Sequence, residues 1–369
     1  MMKNRCLLSA VSLTVTLLAI NANALELSEK PLTATVAVTS LQSKTMRAAA
    51  ATKKVVLMNI QLTNKEKQTF FNSQHSLSSS AKVSQTSTPT NASVNMKSMP
   101  VLDQGKHGSC VTFANTGAID ALLKKGDYVS QLCHLNLGRY LKLNGYYPSG
   151  WNGSFGPWVL DQITRFGIMN TQDQKIYSCG GIKEYPIYDE EEIGIPVTLD
   201  EFKVRSKAVK TEKRVFLWQS ILTIMDRIFD DEDNPYDADK VVLKIKQTLA
   251  SSNPYEPTAL ITMGVFLPFS HCNMGACATY HAKNDTWALT SAIANDSNLG
   301  GHEMIITGYD DKATAIDNEG HVHTGLFTLR NSWGEEVGDH GDFYMTYDFF
   351  KRYVMEAQKL MMVHNKFLG

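Results

Sequence analysis

The chain has 369 residues, of which 43% are hydrophobic and 20% charged, with a formal net charge of −1. That length supports a large core and more than one folding unit. The near-neutral balance gives no argument for a nucleic-acid partner. Beyond the N-terminal segment no stretch is long and apolar enough for a membrane helix.

Lys3 and Arg5 precede an apolar run from Leu7 to Ile20, and Ala22-Asn23-Ala24 is a small-x-small cleavage signal. Residues 1–24 therefore read as an export signal rather than as fold. The remainder is expected in a secreted or periplasmic, oxidising compartment, with no membrane anchor once the signal is gone. Residues 25–98 read as a separate unit. Thr33–Val38 alternates as a strand and Val55–Leu62 reads as a second, forming a hairpin whose register is not readable. Thr63-Asn64-Lys65-Glu66 is a capping box that opens a short helix through about Phe71. Residues 72–98 hold twelve Ser or Thr among 27 residues and no acid. That composition reads as a flexible tether, easily cut. It directly precedes Met99-Pro100, where activation cleavage is expected.

From Met99 onward the chemistry concentrates in three stretches. The first is Asp103-Gln104-Gly105-Lys106-His107-Gly108-Ser109-Cys110. A helical pattern follows at once (Val111, Phe113, Ala114, Ala118, Ile119, Leu122, Leu123) and stops at Lys124-Lys125-Gly126. Cys110 thus stands where a loop becomes a helix, and free N–H groups there favour thiolate over thiol. Trp151-Asn152-Gly153-Ser154-Phe155-Gly156-Pro157-Trp158 leads into a helix from Val159 to Phe166. Phe216, Leu217, Ser220, Ile221, Ile224, Met225 and Ile228 give a helical stripe read as core, and Asp230–Asp233 reads as a solvated acidic loop. A second helix spans Asp237 to Ala250. The second chemical stretch is Gly300-Gly301-His302-Glu303, with His302 at the mouth of a strand-like apolar run. Asp310-Asp311 and Asp317-Asn318-Glu319 then flank a hairpin loop that is not read as a metal site. The third stretch is Leu326–Arg330, a strand-like run that ends in Asn331-Ser332-Trp333-Gly334.

In that order, Gln104, Cys110, His302 and Asn331 resemble the papain-like cysteine peptidases of the C1 type, over roughly Met99 to the C-terminus. The resemblance implies an α+β, two-lobed fold with the active-site cleft between a helical lobe and a β-rich lobe, preceded here by a small β-hairpin/helix pro-segment. It implies peptide-bond hydrolysis through a thioester with no cofactor and no metal. Cys110 would attack the carbonyl, and the Gln104 amide with the Cys110 N–H would hold the oxyanion. His302 would be the acid and base, and Asn331 would orient it. Trp333 would cover the His302–Asn331 hydrogen bond, and Gly153 and Gly156 would let substrate backbone approach. The chain departs from the family at His107, where a disulfide cysteine is usual, at Val111, where tryptophan is usual, and at Glu303, where a small residue is usual. Glu303 either raises the pKa of His302 or points to solvent. His302 lies 192 residues beyond Cys110, against roughly 130–150 in papain-type enzymes, so about fifty residues are inserted, placed at 180–236.

Setting Cys6 and Cys110 aside, four cysteines remain. The resemblance favours a Cys133–Cys179 disulfide, leaving Cys272–Cys277 to close a local loop. The alternative is zinc held by His271, Cys272, Cys277 and His281. Residues 25–98 carry nine Lys/Arg against three Asp/Glu, net +6, while residues 99–369 carry 25 against 34, net −9. Opposite charge suggests that 25–98 is an intramolecular inhibitor whose grip weakens with salt. The expected protein is a monomeric zymogen acting on peptides or proteins. The alternatives are a cysteine acyltransferase or peptide ligase with the same residues, and an inactive papain-like binding module.

Overall fold

The computed structural model describes residues 26–39, 52–72, 88–96, 99–188, 191–229 and 236–365. The export signal and the Asp230–Asp233 run lie outside the described residues. No described helix is long and apolar enough to cross a membrane.

The expected hairpin is present: Leu32–Ala37 pairs antiparallel with Thr52–Leu57, with Leu32 opposite Leu57 and Ala37 opposite Thr52. The capping box closes as expected, since Glu66 N donates to Thr63 Oγ1 and Thr63 N to Glu66 Oε2. It starts the helix Asn64–Asn72. The segment is not a separate unit, however. Val36, Val55, Leu57, Met58 and Phe70 are fully buried in the main hydrophobic core, because too short a hairpin has no core of its own.

The Cys110 helix, Cys110–Leu123, is the hub of the molecule, and every one of its residues is buried. It ends one residue earlier than a glycine stop implies, with Lys124 itself in the left-handed region at φ 56°. Around it, Gln131–Leu143, Gly156–Phe166, Thr171–Tyr177 and Leu199–Lys203 build the helical lobe. A second core lies there (Leu132, Leu135, Leu137, Trp151 and Phe202), braced by the Cys133–Cys179 disulfide.

The other lobe is a nine-stranded sheet centred on one long strand, Leu299–Asp317. Its first part pairs with Ala259–Pro268 and its later part with Val322–Arg330. Through Asp342–Thr346, Thr286–Trp287 and Ala278–Thr279 the sheet returns to the same strand and closes on itself. Cys272–Cys277 is a disulfide, so those two sulfurs are not zinc ligands.

Two expectations fail here. The stripe from Phe216 to Ile228 is a strand, Arg214–Leu222, followed by one turn, Met225–Ile228. It pairs along its length with the C-terminal strand Val354–His364, a partner invisible to local periodicity. The tether is partly ordered as well. Asn91–Ser93 pairs with Gly308–Asp310, Val94 N donates to Thr307 O, and Val94 and Met96 are buried. Composition missed this because the ladder is supplied by the neighbouring edge rather than by the segment's own apolar content.

Candidate active site

Cys110 is the first residue of its helix and the one free cysteine among the described residues. Its sulfur meets the backbone N–H groups of Val111, of Cys110 itself and of Glu303, the residue after His302. The thiol is therefore delivered by one lobe to the strand that carries the imidazole. His302 lies on the long strand, fully buried, with Nε2 2.8 Å from Asn331 Oδ1. Asn331 sits just past the strand Val322–Arg330, and its Oδ1 also accepts from Ser332 N at 2.7 Å. The Trp333 ring lies on the imidazole at 4.5 Å between centroids and 25° between planes. That leaves His302 Nδ1, which has no partner, as the ring nitrogen not engaged by Asn331.

Gln104 is oriented from three directions. Ser332 Oγ donates to its Oε1 at 2.8 Å, which turns the NH₂ outward. Nε2 then donates to His107 O at 2.8 Å and to Val56 O at 3.2 Å. Tyr185 donates to Gln104 O and shares a hydrogen bond with Ser109 Oγ, both at 2.9 Å, bracing the loop before Cys110.

Val56 belongs to the N-terminal hairpin, which fills the space between the lobes. Met58 exchanges both backbone hydrogen bonds with Gly301, each 2.8 Å. A Cβ on Gly300 would stand 2.4 Å from Leu57 Cδ1, and one on Gly301 would stand 2.7 Å from Ile60 Cδ1. Lys53 Nζ reaches Asp103 at 2.6 Å, Glu336 at 2.7 Å and the Trp333 carbonyl at 2.9 Å. Farther along, Asn152 Nδ2 donates to Glu29 O at 2.9 Å.

Burial sets the charge state of this closed arrangement. It drives the Cys110 thiol up to about 12, with the Glu303 carboxyl adding to the rise. It drives His302 down to about 4 against the pull of Asn331. Burial thus works against the thiolate and imidazolium that the helix end favours.

Residues 285–369 match the family model described as the Peptidase C1-like family. No curated protein matches. Among solved structures, the chain is similar to xylellain, a cysteine protease from Xylella fastidiosa, at 17% identity and TM-score 0.43, over 75% of this chain and 87% of that one. It is similar to digestive procathepsin L 3 of Tenebrio molitor larval midgut at 14% identity and TM-score 0.39, over 80% and 78%. A Carica candamarcensis cysteine protease is similar at 14% identity and TM-score 0.41, over 75% and 99%. Similarity at this level says nothing of substrate. The matched stretch, similar to the C1-like peptidases, is the part of the chain that carries His302, Asn331 and Trp333.

The sequence-derived set Gln104, Cys110, His302 and Asn331 comes together at the seam between the lobes. Gly153 also lies there, at φ +136°, with Leu27 and Met58 against the position a Cβ would take. Gly156 does not. Its N–H donates to Glu356 Oε1 at 2.7 Å, and a Cβ would strike the Gln358 side chain, so it serves the interior. Trp333 is buried between His302 and Phe343 rather than lining open surface. Glu303 neither faces solvent nor approaches the imidazole: it is fully buried and bonded to Asn115 Nδ2 at 2.8 Å. Sequence reading missed Tyr185 and Glu356, which no local pattern marks. It missed Ser332 although that residue lies inside a recognised tetrapeptide.

Proposed function

We propose that the chain is an exported cysteine peptidase made as a zymogen. Cys110 is the nucleophile and His302 the acid and base. Asn331 orients His302 by its 2.8 Å bond to Nε2. Gln104 and the Cys110 N–H stabilise the oxyanion. The observation that carries the reading is that the Gln104 amide donates to a peptide carbonyl, Val56, at the place where a scissile carbonyl would be polarised. The chain's own backbone thus occupies the site that the chemistry requires. Residues 26–72 are the inhibitory pro-segment, held by burial of Leu57, Met58 and Phe70 and by Lys53 between Asp103 and Glu336. Export is supported by the N-terminal signal pattern and by two disulfides.

In the working state, hairpin departure rehydrates the cleft. Cys110 and His302 can then exchange a proton to give thiolate and imidazolium. The thiolate attacks the substrate carbonyl, His302 protonates the leaving amine, and water activated by His302 opens the thioester. The test is mass spectrometry with an irreversible epoxide thiol-protease inhibitor after removal of the pro-segment. One equivalent on Cys110, lost in Cys110→Ala, together with peptide cleavage, is the expected result. Labelling with amine transfer in place of hydrolysis would make the protein a ligase. Absence of labelling would make it a binding module.

A further inference from the structure

Alternation along the long strand sends Glu303 to the face opposite His302, into the seam between the lobes. The sheet register places Gly264 beside Glu303 on one side and beside Glu356 on the other. A Cβ on Gly264 would stand 2.9 Å from Glu356 Cγ, so this glycine makes the chamber in which the two carboxyls meet. Both carboxyls are buried, and Glu303 Oε2 has no hydrogen-bond partner among the described residues.

The groups that meet the pair come from every neighbouring element. Asn115 and Cys110 come from the Cys110 helix, Thr262 from the strand Ala259–Pro268, Gln358 from the strand of Glu356, and the Gly156 N–H from the helix Gly156–Phe166. None is a cation, and only Cys110 titrates. Two buried carboxylates without a cation cannot both stay ionised. The acceptors say where the proton sits. Glu303 Oε1 accepts from Asn115 and Glu356 Oε1 accepts from Gly156 N at a helix start, whereas Glu303 Oε2 has no donor facing it. A proton on Glu303 Oε2, donated to Glu356, satisfies this set.

We propose that Glu303 and Glu356 share one buried proton, and that this proton holds Glu303 in place to receive Asn115, which fastens the Cys110 helix to the His302 strand. Asn115 carries the link to the helix, donating to Glu303 Oε1 and to Val111 O at 2.8 Å each and accepting from Thr262 at 3.1 Å. Burial and the facing Glu356 hold Glu303 well above the usual carboxylate range. Loss of the proton would set a second negative charge near the Cys110 sulfur and oppose the thiolate. Glu303 and Glu356 are positioning residues. Their effect on turnover rests on the peptidase reading above, while the shared proton does not.

The experiment compares Glu303→Gln with the wild type by thermal unfolding of the full chain from pH 5 to 8.5. A glutamine amide donates to Glu356 and accepts from Asn115 without needing a proton. In the wild type, Glu303 has a raised folded-state pKa, so its stability is complete below the ordinary carboxyl value of 4.5 and declines as pH rises. The variant should therefore gain on the wild type steadily across the range, and parallel curves would overturn the proposal. On the processed protein, Glu303→Ala should lower kcat about tenfold to a hundredfold with KM within about twofold, as expected of misplacement. Glu303→Gln should restore kcat and extend activity to higher pH. If Glu303→Ala does not fold, the glutamine comparison alone decides. Diverging unfolding curves without peptide cleavage would keep the shared proton and remove the peptidase reading. Cleavage with parallel curves would do the reverse.

Discussion

Leu57→Ala in the intact chain should release activity without any cut. Leu57 is fully buried in the main core, against Gly300 and one residue from the carbonyl held by Gln104. Truncating such a leucine costs about 2–5 kcal/mol, and each 1.4 kcal/mol is about tenfold in an equilibrium constant. If the hairpin opens as a unit while the two lobes stay folded, that cost falls wholly on the closed state. The open fraction should then rise by at least about thirtyfold. The assay is the initial rate of fluorogenic peptide hydrolysis by freshly purified chain, with mass spectrometry confirming that it is uncut. Ile245→Ala is the control, because Ile245 is equally buried in the same core but lies in the helix Ala238–Ser251, away from the hairpin. It should lower the melting temperature and leave latent activity unchanged. Equal activity in Leu57→Ala and wild type, with both melting temperatures lowered, would show that the hairpin is a structural part of the catalytic unit and not a removable plug.

Burial pushes against the charge of Lys53, but hydrogen bonds to Asp103 and Glu336 win, so its pKa is raised. Burial works likewise against ionised Glu336, and Lys53 holds its pKa below 4.5. Glu336 therefore contributes to closure above about pH 4.5 and loses that contribution as pH falls through its lowered folded value. Latent activity of intact wild type should rise on acidification below that point, and Lys53→Met should flatten the rise. Salt should weaken closure through this lysine and through the more exposed Glu29–Lys142 pair, whereas Lys30, Lys54, Lys65 and Lys67 form no ion pair among the described residues. A salt response equal in Lys53→Met would refute the assignment. With the thiol at about 12 in the closed state, iodoacetamide should alkylate Cys110 on the order of a thousandfold faster at pH 7 once residues 26–72 are removed. Breaking the Cys133–Cys179 bridge by Cys179→Ser should cost about 2–5 kcal/mol, read by urea unfolding.

What the sequence made legible is what depends on neighbours along the chain. The bounds of the Cys110 helix follow from its loop, its apolar run and its lysine stop. The start of the helix Ala238–Ser251 follows from Asp237, which caps Lys240 N. The four residues proposed for the chemistry stood out because each sits in a short motif whose chemistry demands the others. Contacts made at a distance were not legible. Arg214–Leu222 looks helical until Val354–His364, more than a hundred residues later, supplies its ladder. From its position beside His302, Glu303 could be read as raising the imidazole pKa or as pointing to solvent. Its real partner, Glu356, is chosen by sheet register across Gly264. Helix-end electrostatics that favours a thiolate is readable from Cys110, while the burial that opposes it is not.

The short ladder between Asn91–Ser93 and Gly308–Asp310 bears on where the leader can be severed. Trimming back to Met99 would strip a row of backbone partners from a naked sheet margin and uncover Val94 and Met96. On the zymogen proposal, a processed form would inherit its first strand from what composition reads as a tether. Its N-terminus, read by mass spectrometry, should then lie at or ahead of Thr88, whose neighbours Pro89 and Thr90 bond to Tyr309 and Asp311.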